Sequence, residues 1–384
     1  MKRKKILVVT GTRAEYGLLR STMDAIRAHS QLTLRLLVTG MHTLKEYGYT
    51  KKEIENDGYT IDCTVPITPK SDMLEAFSQE ILGIRKYCVQ EKPDCIVVLG
   101  DRDEPFAAAI VATHLNIPLA HIHGGDISGP GIDETLRHAI TKMAHLHFPG
   151  TKKSAKRIRA FGEEAWRIKE VGSVVMDDIQ KKAMIPRTTL AQKLGIDAKR
   201  SWLTVLQHPW AFDDTPLAKQ ISSTFSALTQ FPEHEKIVLF PNTDTGSELF
   251  IKHLKKNKGP RFHLFPSLPR PEYMSVLKES DALIGNSSSG IIEISVLGTP
   301  SVEVGNRQAG RERGPGFLHV PYDTHKIVKA ITRAIAIKKK RRGKAFPSPY
   351  GTGNSGKAIA EKLSELLLDP HLLYKKPPES YSNR

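Results

Sequence analysis

The sequence predicts an α/β protein of two similar halves, each a parallel sheet with helices between its strands, facing one another across a central cleft. Three observations lead there. Short apolar runs alternate with amphipathic stretches in both halves, as right-handed βαβ units require. The alternation lapses between residues 172 and 200 and then resumes. At 384 residues the chain exceeds one ordinary core, so two domains are expected.

The elements follow in order. Residues 6–9 (Ile-Leu-Val-Val) follow basic residues, but the run is short and polar residues 10–15 come at once, so it reads as a strand rather than a signal peptide. A helix is expected over 16–28, with Leu18, Leu19, Met23 and Ile26 near one stripe. Strands over 34–38, 95–99 and 119–122 alternate with helices over 73–89, 105–115 and 133–144. In the second half, strands are expected over 203–206, 237–240, 262–264, 282–284 and 302–304, and helices over 217–228, 246–255, 271–279 and 291–296. An amphipathic stretch over 355–368 closes the series. The implied organisation is a domain over 1–175 and a second over 176–354. A helix over 355–370 packs back across the junction, and a disordered tail covers 371–384.

Bulk properties narrow the function. The net charge of +16 favours an anionic partner. Nucleic acid is one candidate, but no nucleic-acid-binding signature surrounds basic runs such as residues 338–342, so a phosphorylated metabolite is preferred. The three cysteines, Cys63, Cys88 and Cys95, lack metal-ligand spacing and suit a reducing cytoplasm. No apolar run nears the roughly 20 residues of a membrane span.

The chemistry concentrates at strand ends. The run 95–99 leads into Gly100-Asp101-Arg102, and 119–122 into His123-Gly124-Gly125-Asp126. The next helix opens on Asp133 and Glu134 and carries Arg137 and His138. Open parallel sheets keep ligands at that edge, so Asp101, His123, Asp126, Asp133 and Glu134 are candidate acids and bases. Taken alone, Asp133 could be a helix cap and His123 a structural histidine. Residues 11–17 (Gly-Thr-Arg-Ala-Glu-Tyr-Gly) follow the first strand. Their amides and Arg13 suit phosphate, or they form an ordinary β–α turn; the glycine spacing is not the dinucleotide fingerprint. Residues 285–290 (Gly-Asn-Ser-Ser-Ser-Gly) are the counterpart in the second half, with Glu293 placed to accept a ribose hydroxyl. A cap explains one of the three serines. The loop 305–314 carries Arg307, Arg311 and Arg313, whose forks suit phosphate oxygens, or it is an exposed basic loop. His208 and Asn242 end predicted strands on the same edge. No metal-ligand spacing occurs, and no metal is expected.

In order along the chain, residues 11–17, 100–102, 121–126 (His-Ile-His-Gly-Gly-Asp), 132–142 (Ile-Asp-Glu-Thr-Leu-Arg-His-Ala-Ile-Thr-Lys) and 285–290 resemble the hydrolysing UDP-N-acetylglucosamine 2-epimerases, the type feeding sialic- and legionaminic-acid-like sugar biosynthesis. The run 132–142 is the most specific part. The resemblance implies a glycosyltransferase-B-like fold of two Rossmann-like domains with UDP held between them, no cofactor, and a dimer or tetramer. It also implies nucleotide-binding roles for Arg13, Arg102, Ser287, Ser288 and Glu293, a place near the nucleotide for Asn242, and a substrate-facing one for Arg137. It gives catalytic roles to Asp101, Asp133 and His208. His123 stands where some members carry a catalytic Glu, and Asp126 where many have Glu.

The implied reaction replaces UDP by water at the anomeric carbon and inverts C2. Departure of UDP leaves an oxocarbenium-like ring, which acidifies the C2 proton; elimination gives a 2-acetamidoglucal, and hydration gives the epimer. Asp101 and Asp133 are assigned to the ring, His123 to the second proton transfer, and His208 with the arginines to the diphosphate. The rivals are a non-hydrolysing epimerase that keeps UDP on its product, a glycosyltransferase of the same fold, and a basic nucleic-acid-binding protein.

Overall fold

The computed structural model describes residues 3–127, 132–181, 184–241, 246–366, 369 and 371–376. The chain forms two compact units, Met1–Asp178 with Tyr350–Arg384, and Ile179–Pro349. The first contains β1 (Lys4–Thr10), β2 (Leu32–Val38), β3 (Cys63–Thr64), β4 (Cys95–Leu99), β5 (Leu119–Ile122) and β6 (Leu146–Phe148). They form one parallel sheet in the order β3-β2-β1-β4-β5-β6. The second contains β7 (Trp202–Leu206), β8 (Glu235–Leu239), β9 (Phe262–Phe265), β10 (Ala282–Gly285), β11 (Ser301–Val304) and β12 (Phe317–Val320), in the parallel order β12-β11-β10-β7-β8-β9. Numbered from its own first strand, each sheet has the same doubly wound order. Each therefore has one switch point, between β1 and β4 and between β7 and β10, where neighbouring connections leave in opposite directions and open a crevice.

Burial on both faces explains why these apolar runs are strands. Along β1, Ile6 and Val8 enter one layer with Leu19, Met23 and Ile26 of helix Arg13–Ala28. Leu7 and Val9 enter the other with Ala108 and Val111 of helix Asp103–His114, the alternation expected of a strand. In the second unit Leu203, Val205 and Val302 pack on Phe225 and Ile331, while Trp202 and Ile237 face Leu190 and Val276.

Helix Ser355–Leu366 belongs to the first unit. Asp177 caps it by accepting the N–H groups of Ser355 and Gly356 at 2.9 and 2.7 Å. A side chain at Gly356 would strike the Ser21 backbone, so the glycine lets this helix lie close on Arg13–Ala28. Residues 371–376, within the stretch expected as a tail, lie against the rest of the first unit. Buried Arg167 donates to the Leu372 carbonyl at 2.6 Å, and Lys375 reaches the carbonyls of Lys142 and Ala144 at 2.6 and 2.8 Å. Residues 377–384 lie outside the described ones. Among the described residues, no helix is long and apolar enough to cross a membrane.

Candidate active site

In the first unit the expected residues gather at the switch point. β1 ends at Thr10 and turns through Gly11 and Thr12 into helix Arg13–Ala28, which Thr12 caps by accepting the Glu15 N–H at 3.3 Å. Arg13 pairs with Glu53 at 3.0 Å. Beneath the turn lie buried acids that were not among the expected residues. Glu15 accepts the Gly11 N–H at 2.9 Å. Glu104 packs so tightly on Gly11 and Gly40 that a Cβ at either would meet its carboxyl group. Burial, then the nearby Glu104 charge, pushes Glu15 up to about 8 and Glu80 up to about 9. Burial also raises Glu104, against the pull of Arg102, whose Nε lies 3.4 Å away.

β4 leads through Gly100 to Asp101, whose carboxylate pairs with Arg137 of helix Ile132–Met143. Arg137 Nη1 also donates to the His123 carbonyl at 3.3 Å. His123 has a φ of +62°, a left-handed conformation costing a side-chain-bearing residue ~1–2 kcal/mol, and such strain gathers at functional positions. Its Nδ1 lies 3.9 Å from Asp126, which accepts the Ser154 hydroxyl at 2.6 Å. Asp101, Arg137, His123 and Asp126 thus form one connected group. Asp133 is exposed at the start of the Arg137 helix, and its charge acts on Arg102 and Asp103. Glu134 reaches along the helix to His138, 3.2 Å away.

His121, on β5, holds this group from below. Fully buried, its Nε2 lies 2.7 Å from the Gly100 carbonyl and its Nδ1 3.1 Å from the Thr141 hydroxyl. It therefore ties the Asp101 turn to the Arg137 helix. Burial drives it down to about 3, so it is neutral in the fold, with Nε2 donating and Nδ1 accepting. An unfolded chain protonates this histidine below about 6.5. Its contribution to stability is thus complete above that pH and is lost as pH falls toward 3. The variant H121N is expected to be ~2 kcal/mol less stable than wild type at pH 7.5. In urea unfolding, that gap should narrow by about 1.4 kcal/mol per pH unit below 6.5; a gap independent of pH would contradict the neutral, doubly bonded ring.

In the second unit, β7 leads into Gln207 and His208 beside the end of β10. Gly285 has a φ of +134°, and a side chain there would meet the Leu206 carbonyl. The next residue, Asn286, clasps the other strand end. Its Oδ1 accepts the His208 N–H at 2.7 Å and its Nδ2 donates to the His208 carbonyl at 2.8 Å. Ser287 caps a 3-10 turn over Ser288–Gly290 by accepting the Ser289 N–H at 3.3 Å. The expected helix over 291–296 is shorter, Glu293–Leu297. Glu293 is buried and pairs with Arg270 at 3.1 Å. Arg307 Nη1 donates to the Asn286 carbonyl at 3.4 Å. Arg311 Nε is buried with no hydrogen-bond partner among the described residues, an orphan that an anion would satisfy. Asn242 lies outside the described residues.

The first unit thus brings together Asp101, His123, Asp126 and Arg137, with the Asp133 charge acting on Arg102. The second brings His208, Ser287, Ser288 and Arg307 around Asn286. Sequence reasoning gave no role of their own to His121 and Asn286, which stand inside quoted runs, and missed Glu104. Each leaves only a faint signal, a polar residue inside an apolar strand or helix or at a strand end.

Such an arrangement, acids and a histidine at one switch point and serines with arginines at the other, is found with a matching family model. Residues 24–364 match the model described as UDP-N-acetylglucosamine 2-epimerase. The chain is 34% identical to a hydrolysing UDP-N,N'-diacetylbacillosamine 2-epimerase of Legionella pneumophila, over 97% of this chain and 98% of that one. It is 32% identical to a hydrolysing GDP/UDP-N,N'-diacetylbacillosamine 2-epimerase of Campylobacter jejuni, over 83% and 84%. In fold it matches the crystal structure of a Neisseria meningitidis UDP-GlcNAc 2-epimerase bound to UDP-GlcNAc, with a TM-score of 0.80 at 19% identity, covering 94% of this chain and all of that one. The architecture is glycosyltransferase-B-like, and the chain belongs to the UDP-N-acetylglucosamine 2-epimerase family.

Proposed function

We propose that this protein is a hydrolysing 2-epimerase that converts a UDP-2-acetamido sugar to UDP and a free sugar inverted at C2. The observation that carries this reading is the Asp101–Arg137–His123 group at the β1/β4 switch point, in a chain with hydrolysing relatives over nearly its whole length. As UDP departs, positive charge develops on the ring. Carboxylates at Asp101 and Asp133 stabilise it, as in glycoside hydrolysis, and one of them takes the C2 proton. The acetamidoglucal so formed adds water, with C2 protonated from the opposite face; His123 is the second proton carrier. The left-handed His123 backbone and its carbonyl bond to Arg137 fix where that residue leaves the main chain. Asp126 orients His123 from its other side. His208, Ser287, Ser288, Arg102, Arg307 and Arg311 receive the growing diphosphate charge, and electrostatic help of this kind often contributes more to catalysis than any other effect. Glu293 holds the nucleotide. The three cysteines are free, in keeping with a cytoplasmic enzyme.

Both UDP-N-acetylglucosamine and its 2,4-diacetamido-6-deoxy analogue are offered as substrate classes, the second because two relatives carry that sugar in their names. The test is incubation with each in deuterated water. Deuterium at C2 of a released free sugar, with stoichiometric UDP, supports the proposal. Label on a sugar still joined to UDP would point to a non-hydrolysing epimerase, and turnover only with an added acceptor to a glycosyltransferase.

A further inference from the structure

We propose that Glu303 is a positioning residue for nucleotide binding, one that seats the arginine-bearing loop 305–313 against the serine turn so that Arg307 and Arg311 meet the substrate diphosphate. The inference rests on the nucleotide-sugar reading above and adds a residue whose own side chain touches no substrate.

Glu303 sits on β11 with only 3% of its surface exposed. A buried carboxylate needs partners, and both of its partners come from the loop. Its Oε1 accepts the Gln308 backbone N–H at 3.0 Å, and its Oε2 accepts from Arg313 Nη2 at 3.3 Å. Gln308 is buried too, and its Nε2 donates to the Asn286 carbonyl at 3.1 Å. Arg307 reaches that same carbonyl. Asn286 in turn clasps both backbone groups of His208. A hydrogen-bonded chain therefore runs from Glu303 through the loop to the serine turn and on to His208.

The loop is anchored at its start as well. Gly305, with a φ of +82°, lies against the Tyr322 ring, where any side chain would collide. His319, the β12 partner of Glu303, bonds the Gly305 carbonyl at 3.1 Å and the Asn306 side chain at 3.0 Å. The space between loop and serine turn, lined by Gly285, Ser287, Ser301, Glu303 and Gln308, is about 10 Å³, room for at most one water. The loop has little freedom while Glu303 holds it. Burial raises the Glu303 carboxyl to about 7, against the pull of Arg313 and the Gln308 amide, so these loop contacts are what keep its charge near neutrality. Arg313 is thereby committed to the loop's own geometry.

The test compares wild type, E303Q and R313Q by UDP titration calorimetry and steady-state kinetics. E303Q is expected to bind UDP ~10-fold more weakly, the effect of losing one charge-assisted contact. Its KM should rise in proportion while kcat stays within a few-fold. R313Q, changed at the exposed end of the pair, should show a smaller rise in KM, and it carries the test if E303Q fails to fold. An unchanged UDP affinity in whichever of these variants folds, or a fall in kcat at constant KM, overturns the proposal. A wild-type protein that binds no UDP overturns the nucleotide-sugar reading itself, and this one with it.

Discussion

Replacing Asp133 with asparagine is expected to lower kcat by ~10²–10⁴-fold, the usual worth of a positioned general acid or base. UDP affinity should change by no more than a few-fold. The reasoning is local. Asp133 opens helix Ile132–Met143 and is exposed, so its carboxylate is not committed to the core. Its charge acts on Arg102 and Asp103 at the β4 end, the end that also carries Asp101. Asparagine keeps the volume and serves as well as aspartate at a helix start, so thermal unfolding should be nearly unmoved. What it removes is the charge that steadies the oxocarbenium-like ring and the site that takes a proton. Stopped assays for released UDP, with calorimetric titration of UDP, separate these effects. Wild-type turnover by D133N would leave Asp133 as a helix cap and nothing more.

The second large effect is expected at Arg137. R137M should cost ~3 kcal/mol of stability, because breaking a buried ion pair strands the surviving charge. Its head group joins Asp101 to the carbonyl of His123, so the loss also frees a backbone held at a φ of +62°. Turnover should fall by at least ~10²-fold as both the acid and the proton carrier lose their placement. The double variant D101N/R137M separates the causes. If the stranded Asp101 charge is the main cost, the double variant should be more stable than R137M alone in urea unfolding while remaining inactive. Strict additivity of the two changes would mean that the residues are not coupled.

Much of the architecture was legible because buried parallel strands are written as continuous apolar runs. Strands such as 95–99 and 203–206 stand out against their polar flanks, and nine of the twelve strands of the described structure were expected from that signal. The three not expected, β3, β6 and β12, are all at sheet edges. An edge strand pairs on one side only and can be short and mixed, as Cys-Thr in β3 and Leu-His-Phe in β6 are. The contacts of residues 371–376 leave no mark in the sequence for a related reason. Arg167 and Lys375 hold that segment through backbone carbonyls, which every sequence possesses and none advertises.

The same division holds for the site. Local order along the chain already put Asp101, His123, Asp126, Asp133 and Arg137 near strand ends and a helix start, since a parallel sheet sends all its strand termini to one edge. It also put the serines and arginines of the second half on the corresponding edge. Only the folded structure decided which of these side chains meet. Arg137 pairs with Asp101 across 36 positions of sequence, and Asn286 clasps His208 across 78, partnerships set by strand order and helix packing. Burial is likewise a property of three dimensions. It alone separates neutral, bridging His121 from its half-buried neighbour His123, though both come from one His-Ile-His run.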